Sequence, residues 1–363
     1  MKRRNIFTAA LLLAVAAAAS AANAGERWTE ENAAEWQKKQ GWLTGVNYIV
    51  SDAVNSIAMF GKTGYNPELI DKELALAEKL GFNSLRVLIP YALYEDDPDS
   101  LLKTFDHFLA VCGKHKMTVM PVLFDDCTFG QDSIAAGKQP EPTAGWYSSG
   151  WSPSPGRKLA EDAAALPQLE KYVKAFLTRF KEDSRIALWD LYNEPMQKDA
   201  ADGKTVQSLP LVKKCWEWGR EVNPSQPLTM GFYSGQKELN KIIADNADVI
   251  TFHCYGSKRK TAEEIAKWKK YRRPVLCTEW LNRPLQSRIA DILPMLKEQE
   301  TGSFMWGLVN GKTQTHLPWG HRPEKLPYTG VWQHDLFHSD FRPYDERELE
   351  IIRRCCLPAE GKQ

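Results

Sequence analysis

Ala187-Leu188-Trp189-Asp190-Leu191-Tyr192-Asn193-Glu194-Pro195 is an apolar run of strand length that ends on an amide, an acid and a proline. Val275-Leu276-Cys277-Thr278-Glu279-Trp280 repeats the pattern, with a Glu at the end of its apolar stretch. Near-continuous apolar runs mark strands buried on both faces, as in a parallel sheet. Pro195 predicts an extended Glu194 and an end to strand pairing there. A buried, unpaired acid is costly, so two acids closing two strands ask for a common cause.

Outward from these runs, the same unit recurs. Strands are predicted at 43–49, 84–90, 118–124, 187–193, 228–232, 249–254, 274–278 and 303–309. Helix patterns lie between them. Leu169, Tyr172, Val173, Phe176, Leu177 and Phe180 have the i, i+3, i+4, i+7 spacing of one buried helix face. Residues 69–80 form a second such segment, stopped by Gly81. In the segment 289–296, Pro294 is expected to kink or end the helix. Strands alternating with helices give a parallel sheet, and eight is the number that closes a (β/α)8 TIM barrel. The competing open, doubly wound sheet wants a Gly-rich phosphate loop after its first strand, where Gly45-Val46-Asn47-Tyr48 offers none. Long loops follow strands three (125–166) and eight (311–344), both rich in Trp and Pro. No Ser- or Gly-rich linker divides the chain, so 25–363 reads as one catalytic domain.

Residues 1–24 read as a secretory signal peptide: basic Lys2-Arg3-Arg4, an apolar run, then Ala22-Asn23-Ala24. An N-terminal membrane anchor is the alternative, and the run is short for it. The expected protein is exported, periplasmic or secreted. The 363 residues are 43% hydrophobic, with a formal net charge of +1, which supplies no nucleic-acid footprint. Seven cysteines are expected to be mostly buried small side chains, with room for one bridge. Glu95 to Asp99 should open a helix, where acids suit the positive N-terminus. The basic run from Lys267 to Arg273 should be a solvated outer face.

In a barrel of this kind chemistry sits where strands end. Paired carboxylates there are the working parts of glycoside hydrolysis. The chain resembles the clan of (β/α)8 retaining glycoside hydrolases that includes cellulases, mannanases and xylan-active enzymes. Asn193-Glu194-Pro195 matches the clan's acid/base signature and Glu279 its nucleophile. Arg86 matches an arginine on strand two, His253 and Tyr255 a His-x-Tyr pair after strand six, and Trp306 the strand-eight tryptophan under the sugar. Many cellulase-like members carry a His at strand three, and this chain has Phe124-Asp125-Asp126 there.

The resemblance implies a carbohydrate substrate, with a β-1,4-xylan-type chain first and β-mannan, β-glucan or β-galactoside as alternatives. It implies no cofactor and no metal. Glu194 should start protonated, its pKa raised by burial or by neighbouring negative charge. Glu279 should be ionised beside Arg86, and Tyr255 should donate to it. His253 should orient Glu194, and the Asn193 amide should meet the sugar 2-hydroxyl. Asp125 is a candidate for reading a sugar hydroxyl. Trp280, with Trp146, Trp151, Trp319 and Trp332, is a candidate sugar platform. His316 and His321 are candidate subsite contacts or plain loop residues. A non-catalytic carbohydrate-binding barrel would lack one of the two acids. A metal-dependent hydrolase wants His-x-His after strand one, where Val46-Asn47-Tyr48 stands.

Overall fold

The structure, a computed structural model, describes residues 25–358 apart from 131, 233 and 234. The predicted signal segment 1–24 lies outside the described residues. Eight strands alternate with helices: β1 (Thr44–Asn47), β2 (Ser84–Leu88), β3 (Thr118–Val122), β4 (Trp189–Asp190), β5 (Leu228–Thr229 continued by Gly231–Phe232), β6 (Ile250–His253), β7 (Val275–Trp280) and β8 (Gly302–Trp306). Every neighbouring pair is parallel, and β1 pairs with both β2 and β8. The first half of β5 pairs with β4 and its second half with β6, so the sheet closes through β5 into a (β/α)8 TIM barrel. All eight predicted strands are present, most of them shorter than the apolar runs. The pairing ends where residues turn toward the mouth of the barrel.

The helices take their places for reasons visible in their sequences. Leu166–Phe180 buries all six predicted residues of its apolar face. Each such side chain contributes about 1.5–3 kcal/mol of burial. Pro98–Lys114 is capped by Asp97, whose carboxylate accepts from Ser100 N at 3.0 Å. Ile289–Glu298 runs through Pro294, contrary to expectation. A proline there removes only the bond to the Ala290 carbonyl, and buried Ile292, Leu293, Met295 and Leu296 hold both halves against the barrel. The helix Glu30–Gln40 plugs the far end: Trp36 packs with Leu43, Met120, Leu188, Val249 and Phe304, and its Nε1 donates to the Ala187 carbonyl at 3.1 Å. None of the seven cysteines is bridged, so the expected room for one disulfide is not used. Among the described residues no helix is long and apolar enough to cross a membrane.

Close approach of β1 and β2 requires Gly45. A Cβ there would lie 1.7 Å from the Ser84 carbonyl oxygen. Gly45→Ala should destabilise the fold by about 3 kcal/mol, the upper end for overpacking. Gly113→Ala, in a helix with nothing within 4 Å of the added Cβ, should instead be neutral or stabilising by up to about 1 kcal/mol. Urea denaturation of both variants tests the contrast, and equal midpoints would remove the steric account.

Candidate active site

The mouth of the barrel is assembled by strand register. Asn47 pairs with Arg86 on one side and with Trp306 on the other, and His253 pairs with Glu279. The β6–β7 ladder shifts register at Phe252/His253 and the β7–β8 ladder between Cys277 and Trp280. Such irregularities re-aim side chains, here His253 and Glu279. Glu194 is not extended as predicted: its φ is +39° and that of Met196 is +62°. In an extended strand Asn193 and Glu194 would point to opposite faces. The left-handed turn lets both line one cleft.

Arg86, wholly buried, is the hub. Its Nε and Nη2 donate to Asp190 Oδ2 at 3.1 and 2.8 Å, and Nη1 donates to Glu279 Oε1 at 2.7 Å. Nη1 also donates to Asn47 Oδ1 at 2.8 Å and Nη2 to Asn193 Oδ1 at 2.6 Å. Burial works against the guanidinium charge, but Asp190 and Glu279 outweigh it and raise the Arg86 pKa. Tyr255 Oη donates to Glu279 Oε2 at 2.7 Å. Burial and the Glu279 charge keep that phenol protonated by raising its pKa well above the ordinary value.

Glu194 faces this group. Its Oε1 accepts from His253 Nδ1 at 2.7 Å; its Oε2 accepts from Gln197 Nε2 at 2.6 Å and from Cys127 Sγ at 3.3 Å. Burial lowers the His253 pKa, but Glu279 and Glu194 outweigh it, and the net shift is upward. Burial raises the Glu194 pKa, but His253, Gln197 and Cys127 outweigh it, and the carboxyl sits below its ordinary value. This corrects the expectation of a raised Glu194: its donors stabilise the ionised form more than burial penalises it.

An oxygen of Glu194, a nitrogen of His253 and an oxygen of Glu279 lie within 4.8 Å of one another. That spacing could bracket a cation. Each of the four carboxylate oxygens, however, already accepts from a protein donor.

The remaining predicted residues divide. Trp306 lines the cleft, with the Trp151 ring 6.0 Å away. Trp319 also lines it, edge-on to Tyr255 at 4.9 Å. Trp280 does not: it is wholly buried in the core, with Nε1 donating to Ser303 Oγ at 3.1 Å. Alternation along β7 sends Glu279 to the cleft and its neighbour away from it.

Asp125 is wholly buried behind the cleft. It accepts from Asn193 Nδ2 at 2.8 Å, Trp151 Nε1 at 2.9 Å and Cys127 N at 3.0 Å. Burial pushes its pKa up to about 7 despite those donors. It therefore orients Asn193 and Trp151 and does not border the cleft. Asn193 spends its carbonyl on Arg86 and one N–H on Asp125; Nδ2 lies 3.5 Å from Cys127 Sγ. Trp146 lies under the Arg322 guanidinium, and Trp332 stacks on Tyr344; neither borders the cleft. His316 packs on Trp332, so it too is a loop residue. Lys267, predicted on an outer face, is exposed but borders the cleft above the Trp268 ring.

Sequence reasoning missed Asp190, Asn47, Gln197 and Cys127. Asp190 carried a usable signal, an acid inside an apolar strand that needs a buried cation. Gln197 and Cys127 carried none.

The cleft holds about 800 Å³. Phe129, Tyr147 and Trp151 from the loop after β3 and Trp319 from the loop after β8 wall one side of it. The two loops are tied together by Ser148 N to Thr313 O at 2.9 Å, Gln314 Nε2 to Thr143 O at 2.8 Å and His321 Nδ1 to Gly145 O at 2.7 Å. Gln197, Lys198, Asn240, Lys260 and Gln286 also line the cleft.

Residues 46–308 match the model of the cellulase family, glycosyl hydrolase family 5. No curated protein matches the chain significantly. Similar solved structures include the exo-β-1,4-mannosidase Op5Man5 from Opitutaceae bacterium strain TAV5 (19% identity, TM-score 0.59), with 86% of this chain and 59% of that one covered. The chain thus spans 59% of the length of that relative. GH5_18 from Streptomyces cattleya, solved with GlcNAc, is 12% identical with a TM-score of 0.58 over 89% of this chain and 82% of that one. A family 5 mannosidase from Rhizomucor miehei is 15% identical with a TM-score of 0.53 over 87% and 92%. At these identities the likeness shows the barrel. The family model, matched over most of the chain, shows more: the protein belongs to glycosyl hydrolase family 5, a family of configuration-retaining O-glycosyl hydrolases.

Proposed function

We propose that the protein is a retaining β-glycosidase that cleaves a β-1,4-linked glycan by double displacement, with Glu279 as nucleophile and Glu194 as acid/base. The observation that carries this reading is the pair of acids with oxygens within 4.8 Å, one hydrogen-bonded to Arg86 and the other to His253. A short gap suits direct attack; an inverting pair needs about 6.5–9.5 Å to admit a water. Glu279 attacks the anomeric carbon as the C–O bond breaks, and Glu194 delivers a proton to the leaving oxygen. In the second half, Glu194 takes a proton from water, which attacks the same carbon and releases Glu279. Trp306 offers its face to the sugar C–H bonds, and Tyr255 steadies the nucleophile.

The tied loops close one side of the cleft, which favours release of sugars from a chain end. A β-1,4-xylan-type chain is the first substrate. A β-1,4-mannan-type chain is the second, favoured by the fold likeness to two mannosidases. The test is a panel of β-linked oligosaccharides, polysaccharides and aryl glycosides given to residues 25–363, with products followed by chromatography. Cleavage of one β-1,4 series to monosaccharide supports both parts of the reading. Products of many lengths from the start would overturn the chain-end part, and an uncleaved panel would overturn the enzyme assignment.

A further inference from the structure

Both oxygens of Glu194 are engaged, and not equally. Oε1 faces the His253 ring at 2.7 Å, and His253 Nδ1 lies 3.6 Å from Glu279 Oε2. A proton placed on Oε1 would point at the His253 Nδ1 that already faces this oxygen. Oε2 faces the loops, where Gln197 Nε2 and Cys127 Sγ both donate to it. Those two donors fill its two lone pairs. A general acid, however, must bring a protonated oxygen within hydrogen-bond reach of the leaving oxygen. One donor has to let go. His253 belongs to β6 and is packed against Gly231, where a Cβ would lie 3.2 Å from its Nε2. Cys127 has a short side chain, and its N–H is held by Asp125. Gln197 is long and half-buried on the loop after β4, and it lines the cleft.

We propose that Gln197 is a positioning residue for this reaction: it holds Glu194 Oε2 while the cleft is empty and gives way to the leaving-group sugar, freeing the oxygen that delivers the proton. The proposal rests on Glu194 being the acid/base. With the amide gone, Oε2 takes a proton from solvent in place of the Gln197 N–H. The proton then passes to the leaving oxygen as Glu279 bonds the anomeric carbon. The charged and titratable groups around Glu194 are His253 and Glu279 from β6 and β7, Tyr255 just after β6, Cys127 from the loop after β3, and, one residue further, Arg86 and Asp125 through Asn193. None of the others is placed to exchange with a sugar as Gln197 is. Substrate entry and protonation of the acid are therefore coupled. Burial raises the Glu194 pKa and is opposed in part by Gln197, so removal of the amide favours the protonated form.

The test is the pH dependence of kcat/KM, which reports the free enzyme, and of kcat, which reports the complex. With an aryl glycoside of poor leaving ability, the basic limb of kcat in wild type should lie about one pH unit above that of kcat/KM. In Gln197→Leu the kcat/KM limb should rise by about one unit toward the kcat limb. A dinitrophenyl glycoside needs little protonation, so the basic limb of its kcat/KM should be weak in wild type and variant alike. A Gln197→Leu limb that coincides with wild type, or falls, overturns the proposal. Should that variant fail to fold, Gln197→Asn keeps the amide but is one methylene short of Oε2 and should raise the limb the same way; a coincident profile there overturns the proposal equally. An inactive wild type, or a Glu194→Ala variant unimpaired on the poor leaving group, would sink the acid/base reading itself. An active wild type with an unmoved limb sinks only the role of Gln197.

Discussion

Glu279→Ala lowers kcat on the cleaved substrate by about 10⁴-fold or more, on the scale of losing the nucleophile in other covalent mechanisms. No neighbour can replace it. Asp190, the other acid on Arg86, is wholly buried and does not border the cleft, and Glu194 is taken up by its proposed acid/base role. The variant should stay folded, because the Arg86 charge still has Asp190 at 2.8 Å. Glu194→Ala should differ in kind. Its loss is about 10²–10⁴-fold for poor leaving groups, smaller for dinitrophenyl glycosides, and azide should restore turnover by attacking the glycosyl-enzyme that no longer has a base. Rates on paired substrates, with and without azide, separate the two roles. A Glu279→Ala variant retaining a tenth of the wild-type rate would remove Glu279 from the reaction.

Arg86→Met should cost about 3–5 kcal/mol of stability, the usual penalty for leaving a buried partner without its counter-charge. Met preserves most of the volume, so the loss is electrostatic rather than a cavity. Asp190 loses two charge-assisted hydrogen bonds and Glu279 loses one. The deficit should depend on pH. Burial already holds the Asp190 carboxyl above its ordinary value against the pull of Arg86, and without the guanidinium it moves higher still. Its protonated form is tolerated below about pH 4, and stability is then lost as pH rises through the folded value. The gap to wild type should therefore widen between pH 4 and pH 7. Urea midpoints across that range measure it, and a constant gap below 1 kcal/mol would show that Arg86 does not carry the charge balance. Arg86→Lys should recover only part of the loss, since a single ammonium cannot reach Asp190, Glu279, Asn47 and Asn193 together.

Much of this centre was legible before any coordinates. Each predicted strand is present because apolar runs flanked by helix periodicity leave few other folds. Glu194, Glu279, His253, Tyr255 and Trp306 meet in one cleft, with Arg86 buried behind Glu279, because the barrel brings the ends of their strands together. The failures have equally specific causes. Trp280 is adjacent to Glu279, and strand alternation alone turns it into the core. Asp125 looked like a sugar contact because acids usually seek water, yet three donors hold it behind Asn193. The Glu194 pKa was read from burial, while its sign was set by His253, Gln197 and Cys127, which come from three separate segments.

The amino-acid sequence by itself determined the barrel and which acids stand at strand ends, because hydrophobic periodicity and strand order are local properties summed along the chain. Only the tertiary structure decided how those acids are tuned. Charge balance depends on distances of a few ångströms between residues far apart in sequence, such as Arg86 with Glu279 and Cys127 with Glu194. The left-handed turn at Glu194, the pairing of the two long loops and the Gln197 amide on Oε2 belong to the same class. Coulomb and hydrogen-bond energies fall steeply with distance, and no pattern along the chain encodes distances that folding alone brings about.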